Sequence, residues 1–298
     1  MATPSARITP GPRARAPAGL GIRLSGVTCA TFRERLEPLH SGNMQVARET
    51  LEAYGRAGEF ESRLSQRGNS FIFMGEALLR QVSAPLPEVD AVILAYQTPD
   101  LPTADVAGCY FAERFAGSPV PLSIDEQGPG AAFTALRVAD AMFRLGDMRR
   151  AALLAYDQNA PVWEASEAVQ SLPDSAVLLL LGAGGRVRVE EIVEHQTAGP
   201  AAMLADALER HPRARALVGK SLLDQLGGRS GLERGGAALE GGAARYERII
   251  LPPHEHVFTS AWMSLAHLWP LTNPVLLADF HARTSRLYSC LLVPEESR

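Results

Sequence analysis

A short strand that is apolar on both faces must be covered on both faces. The runs "AVILAY" (Ala91–Tyr96), "AALLAY" (Ala151–Tyr156) and "AVLLLL" (Ala176–Leu181) show no polar alternation. Each therefore predicts a strand buried between layers, not one with a wet face. Apolar residues at three- and four-residue spacings fill the gaps: Asn43 to Ala57, Phe71 to Ser83, "TADVAGCYFAERFAG" (Thr103–Gly117) and "AAFTALRVADAMFRLG" (Ala131–Gly146). These read as helices, the third capped by Thr103 and closed by Gly117. "VPLSIDE" (Val120–Glu126) adds a strand, and "RVRVEEIVEH" (Arg186–His195) reads as one continuing from a hairpin at "GAGG" (Gly182–Gly185). The order β-α-β-α-β-β over the first 195 residues predicts an α/β fold with helices on both sides of the sheet.

The rest of the chain reads as a shortened copy. "AAMLADALERHP", "SLLDQLGG" and "FTSAWMSLAHLW" are helical; "ARALVG", "YERIILP", "PVLLADF" and "LYSCLLV" are strands. The expected division is a disordered Pro-, Ala- and Arg-rich tail over 1–19, a first half over 20–195 and a second half over 196–298. The Gly-rich stretch Gly227–Ala244 reads as a surface loop.

Composition excludes several classes. A net charge of −4 without a basic run argues against nucleic-acid binding. No apolar run is long enough to span a bilayer. Cys29, Cys109 and Cys290 are far apart, with neither metal spacing nor a disulfide framework; a reducing cytoplasm is the expected setting. No cofactor motif stands out. "GAGG" is followed by no helix, so it is a turn and not a phosphate loop.

Reactive residues of α/β enzymes often sit where a strand turns into a helix. Here that turn is Gly128-Pro129-Gly130, which carries no nucleophile, acid, base or metal ligand.

The segments from Val89 to Gly185, in their order and spacing, resemble thiolase-fold enzymes, in particular the ketoacyl-acyl-carrier-protein synthase III group. The resemblance implies a layered αβαβα fold of two related halves, the second shortened, and a dimer formed across the strand Val120–Glu126. It also implies a Cys at the start of a buried helix, with a His and an Asn that polarise a thioester. The family's "D-x-G-C-x-G-x-x-x-A-L" matches "QGPGAAFTAL" without gaps, with Pro129 at the Cys. The family's "P-H-Q-A-N" turn follows a strand matching "ARALVG", with Lys220, the chain's one lysine, at the His. Its "G-N-T-S-A" matches "VFTSA", with Phe258 at the Asn. In a rival alignment "LPPHEHV" supplies His254 as the His, but only by deleting a strand and a helix. The family's glycine-rich closing turn is replaced by "DFHARTSRL".

The chain thus most resembles silent subunits of heterodimeric ketosynthases. That implies an active ketosynthase homologue, or a second copy, as partner, with acyl carrier protein as a further one. A different reading is a repurposed acyltransferase, hydrolase or cyclase acting on a carrier- or CoA-bound acyl group, with His254, His256 or His281 as base. A third is a self-associating scaffold. His254 and His256, two apart on a turn, read as solvated or hydrogen-bonded rather than metal ligands. Lys220, at a helix start, reads as solvated. Asp157 reads as a packing or capping residue, and Cys29, Cys109 and Cys290 as structural, with Cys109 and Cys290 buried.

Overall fold

The computed structural model describes residues 21–34, 37–38, 44–53, 55, 58, 67–83, 85–98, 100, 106–125, 127–158, 172–228, 248–251 and 256–295. The predicted tail, the Thr103 cap, His254 and most of the Gly-rich loop lie outside these residues.

The elements run β1 (Arg23–Phe32), β2 (Glu37–Pro38), α1 (Met44–Ala53), β3 (Arg67–Gly68), α2 (Phe71–Leu79), β4 (Ala91–Tyr96), α3 (Ala107–Arg114), β5 (Val120–Ile124), α4 (Ala131–Leu145), β6 (Arg150–Asp157), β7 (Asp174–Gly182) and β8 (Val187–Gln196). Then come α5 (Pro200–Arg210), β9 (Arg215–Val218), α6 (Lys220–Gln225), β10 (Ile249–Ile250), α7 (Ser260–Leu268), β11 (Val275–His281) and β12 (Arg286–Pro294). β2 and β3 form a small separate pair. The other ten strands form one sheet in the order β10-β9-β11-β12-β8-β1-β7-β6-β4-β5.

That order contains a repeat. Counting β1, β4, β5, β6 and β7 as first to fifth in chain order, the strands met from the β5 edge inward are the third, second, fourth, fifth and first. From the β10 edge inward, β8 to β12 lie in the same order. In each set the last strand, β7 or β12, is antiparallel to both its neighbours, and the remaining contacts within the set are parallel. The sets join where Arg23 and Leu24 of β1 pair with Arg188 and Val187 of β8.

Alternation along the strands sorts the helices into layers. Ala91, Ile93 and Ala95 of β4 face α4 and α7, as do Leu217 of β9 and Leu277 of β11. Val92 and Leu94 face α2 and α3. Ala216, Val218 and Ala278 face α5 and α6. The layers therefore run helix, sheet, helix, sheet, helix, with α4 and α7 innermost. Burying each large side chain there, Phe133 and Trp262 among them, contributes about 1.5–3 kcal/mol.

Three local readings need correction. β7 and β8 do not pair as a hairpin: the chain turns at Gly182–Gly185, but β1 runs between them. Helix α3 begins after Val106, which makes no side-chain cap, and ends at Arg114, short of Gly117. Cys109, expected inside, is exposed. Ala107, Gly108 and Phe111 form the inward face of α3, and Cys109 falls out of phase with them. Cys290 is buried in β12, where desolvation pushes its thiol far up.

Candidate functional site

The site is built at the amino end of α4. Residues Gly128–Gly130 form one turn of 3-10 helix leading into it, and all three are buried. Pro129 is comfortable there because the first turn of a helix leaves its N–H groups without intrahelical acceptors, and proline has none to leave.

Side chains from the other half of the sheet close over this turn. The His281 ring, at the end of β11, lies over Gly128: a Cβ on that glycine would sit 3.0 Å from His281 Nε2. Tyr288 of β12 lies over Gly130, whose added Cβ would sit 2.3 Å from the ring. Tyr288 stacks on Phe133 with centroids 6.0 Å apart, and Phe133 meets Trp262 at 4.9 Å. Phe258 is fully buried in the same core. Aromatic rings thus fill the region in front of α4. Gly130→Ala is expected to cost about 2 kcal/mol, since a rigid, packed ring must move. The added substitution Tyr288→Leu should recover part of that loss, read as urea-unfolding midpoints of the single and double variants.

Two buried carboxylates brace the neighbouring segments. Asp157, at the end of β6, accepts from the Phe258 N–H at 2.7 Å. It thereby caps the approach to α7 from another strand, which is the capping role its sequence position suggested; the N-cap Thr259 makes no side-chain cap of its own. Burial pushes the Asp157 carboxyl up to about 6, against the pull of the backbone donors. Thr259 instead shares a 2.6 Å hydrogen bond with Ser175 of β7. Asp279, in β11, accepts from Leu222 N at 3.1 Å and Phe280 N at 2.8 Å through Oδ1. Its Oδ2 is buried without a hydrogen-bond partner and lies against Gly219, where a Cβ would be 1.9 Å away. Burial pushes this carboxyl up to about 7.

No family pattern matches the chain, and no curated protein does. Solved structures do. 3-Oxoacyl-(acyl carrier protein) synthase III, FabH, from Pseudomonas aeruginosa PAO1 is similar over 93% of this chain and 99% of its own, at 16% identity and TM-score 0.56. The acyltransferase ChlB3 is similar over 92% and 98%, at 13% identity and TM-score 0.60. Xanthomonas campestris OleA with bound cerulenin is similar over 92% and 98%, at 9% identity and TM-score 0.58.

The fold is thiolase-like.

Within this thiolase-like fold, the turn that holds Pro129 and the helix that Lys220 opens both lie against β11. Lys220 opens α6 directly after β9, and its N–H donates to Ser260 Oγ at 2.7 Å, two residues beyond Phe258. Between Lys220 and Phe258 the described chain runs through α6 and β10, and α7 follows. The lysine side chain is ion-paired: Nζ is 2.6 and 2.7 Å from the two oxygens of Asp224.

The histidines part company. His256 is buried just before α7. His281 is half-buried, and its Nδ1 is 2.9 Å from the Thr284 hydroxyl. Burial, then Arg283 and Arg286, lower its pKa, which favours a neutral ring at pH 7. The closing turn without glycine is made by a 3-10 turn at Ala282–Thr284 and by Ser285 in the left-handed region, φ 53°. Among the described residues no cluster of His, Cys, Asp and Glu could hold a metal, and no helix is long and apolar enough to cross a membrane.

Sequence reasoning missed Asp279, Gly219 and Tyr288. For Asp279 a signal existed: an acidic residue in the middle of the apolar strand "VLLADFH" announces a buried carboxyl with a structural reason to be there.

Proposed function

We propose that this chain is a ketosynthase III-like protein that does no condensation itself and serves as a silent subunit beside an active ketosynthase. The observation that carries this is the packed turn at the start of α4. Pro129, which the alignment sets at the nucleophile, offers no atom that can attack a thioester. The reading is supported by the rings of His281 and Tyr288, which lie over Gly128 and Gly130 on either side of Pro129. Lys220 and Phe258, set at the His and Asn, supply neither an imidazole nor an amide donor for an oxyanion.

The partner surface in this reading is β5. It ends the sheet, and its Val120 is 55% exposed. Pairing through it would bring α4 of the silent chain against the corresponding helix of the partner and brace that helix without chemistry. The test has two arms. The purified chain is incubated with acyl-CoA and with acylated carrier protein, then weighed by mass spectrometry; no added acyl mass and no product are expected. It is also co-expressed with ketosynthases bearing an intact Cys, His and Asn, and a stable complex with one of them is expected. Turnover by the isolated chain, or a homodimer that recruits none of them, overturns the proposal.

One observation favours a second reading. His281 has a lowered pKa, bonds to Thr284 through Nδ1, and lays the Nε2–Cδ2 edge of its ring over Gly128, where a general base could act. An acyl-hydrolase, acyltransferase or cyclase activity on a carrier- or CoA-bound acyl group would then appear in the isolated chain and vanish in His281→Gln.

A further inference from the structure

A second concave site lies at the opposite end of α4. Helix α4 has 15 residues and is about 20 Å long, so its carboxyl end is remote from Pro129. There a cavity of about 560 Å³ opens between the end of α4, the starts of β4 and β6, and the end of β7. That volume falls in the range of about 300–1,000 Å³ typical of small-molecule sites. Its floor is apolar: Val89, Phe143, Met148, Ala151 and Leu181 all line it and are all buried.

The rim is different. Arg149 and Arg150 line the mouth beside the exposed Ala183–Gly184 turn. Three acids adjoin the lining: Glu88 and Asp147 are exposed, and the Oδ2 of Asp90 accepts from the backbone N–H groups of Arg149 and Arg150, at 2.8 and 3.1 Å. The Arg150 guanidinium has no ion pair among the described residues. An apolar floor below a cationic rim matches one chemistry: an anionic head on an apolar body. A guanidinium binds a carboxylate through paired, charge-assisted hydrogen bonds, and a chain of methylenes replaces water over the floor.

We propose that this cavity binds an amphipathic carboxylate, with its apolar part over Phe143 and Met148 and its carboxylate on Arg150. The site shares no residue with the α4 amino end and is independent of the silent-subunit reading.

Sodium decanoate is the probe, titrated into the full chain by calorimetry below its micelle concentration, with decanol as the neutral counterpart. Saturable binding at one decanoate per chain is expected, with decanol at least tenfold weaker. Arg150→Met, on an exposed side chain, should weaken decanoate about tenfold and leave decanol unchanged. Ser25→Phe, at an exposed lining position, should block both by filling the mouth. Hydrogen exchange at Gly182–Gly185 should slow on binding. Absence of saturable binding, equal affinity for the acid and the alcohol, or indifference to both variants overturns the assignment; indifference marks nonspecific adsorption.

Discussion

Asp279→Asn is expected to leave stability nearly unchanged at pH 4 and to raise it at pH 8. The reason is the direction of the carboxyl's shift. Its pKa rises from the ordinary 3.8 to about 7 in the folded chain, first because of burial and then because of the nearby charges of Asp224 and Asp157. A raised acid pKa means that the fold disfavours ionisation. Below the unfolded value the group is protonated in both states and costs nothing. Between pH 4 and 7 the unfolded chain ionises while the folded chain resists, so stability falls; above pH 7 the full penalty is present. At about 1.4 kcal/mol per pH unit, that penalty is about 4 kcal/mol. Asparagine keeps an oxygen for the Leu222 and Phe280 N–H groups and carries no charge. Its amide nitrogen takes the place of Oδ2, which makes no hydrogen bond in the native chain either. Urea midpoints measured from pH 4 to 8 should therefore converge at the acid end and separate as pH rises. Parallel profiles would mean that Asp279 is already charged in the fold. Some slope should survive in the variant between pH 4 and 6, because Asp157 titrates there at about 6.

Asp279 also shows where a sequence stops being legible. The strands could be found from one-dimensional pattern because their burial on both faces is a local property of composition, and helices on both sides of the sheet followed; the five-layer stacking was implied only by the family resemblance. Helix α4 was read to its end at Gly146 for the same reason. What could not be read was contact between remote segments. Nothing in "RLSGVTCATF" says that β1 lies between β7 and β8, since register and neighbour choice are fixed by the rest of the sheet. Pro129 was legible as an oddity because its turn sits at a fixed offset from a strand and a helix. Tyr288 was not, because a tyrosine in an apolar strand is ordinary core; only the missing Cβ of Gly130, 158 positions earlier in the chain, gives its ring a place. Cys109 misled through composition. Cysteine is commonly buried, but the phase of α3 turns this one outward.

Ser123→Pro is expected to dissociate the proposed complex while leaving each chain folded. In β5, Val120 N–H donates to Asp90 O of the segment leading into β4, at 2.9 Å. Alternate residues of a strand point their backbone groups to opposite sides, so Leu122 and Ile124 also face β4, and Pro121 and Ser123 face the open edge. Pro121 fits that edge because its missing N–H is on the side away from β4. It also leaves Ser123 as the outward backbone donor within the strand. A partner that adds its own strand here must use that N–H. Proline at 123 deletes it and puts a ring in its place, without touching the ladder to β4. One lost hydrogen bond together with the steric block should weaken association by about 10–100-fold, and by more in a homodimer, where the change occurs on both sides of the axis. The serine hydroxyl also serves Tyr96, so Ser123→Ala is the necessary control: it loses the hydroxyl, keeps the N–H and should keep the complex. Analytical ultracentrifugation of the three proteins with the co-expressed ketosynthase distinguishes the outcomes. If Ser123→Pro sediments with its partner as the native chain does, β5 is not the shared strand, and the silent-subunit reading loses the surface on which it depends.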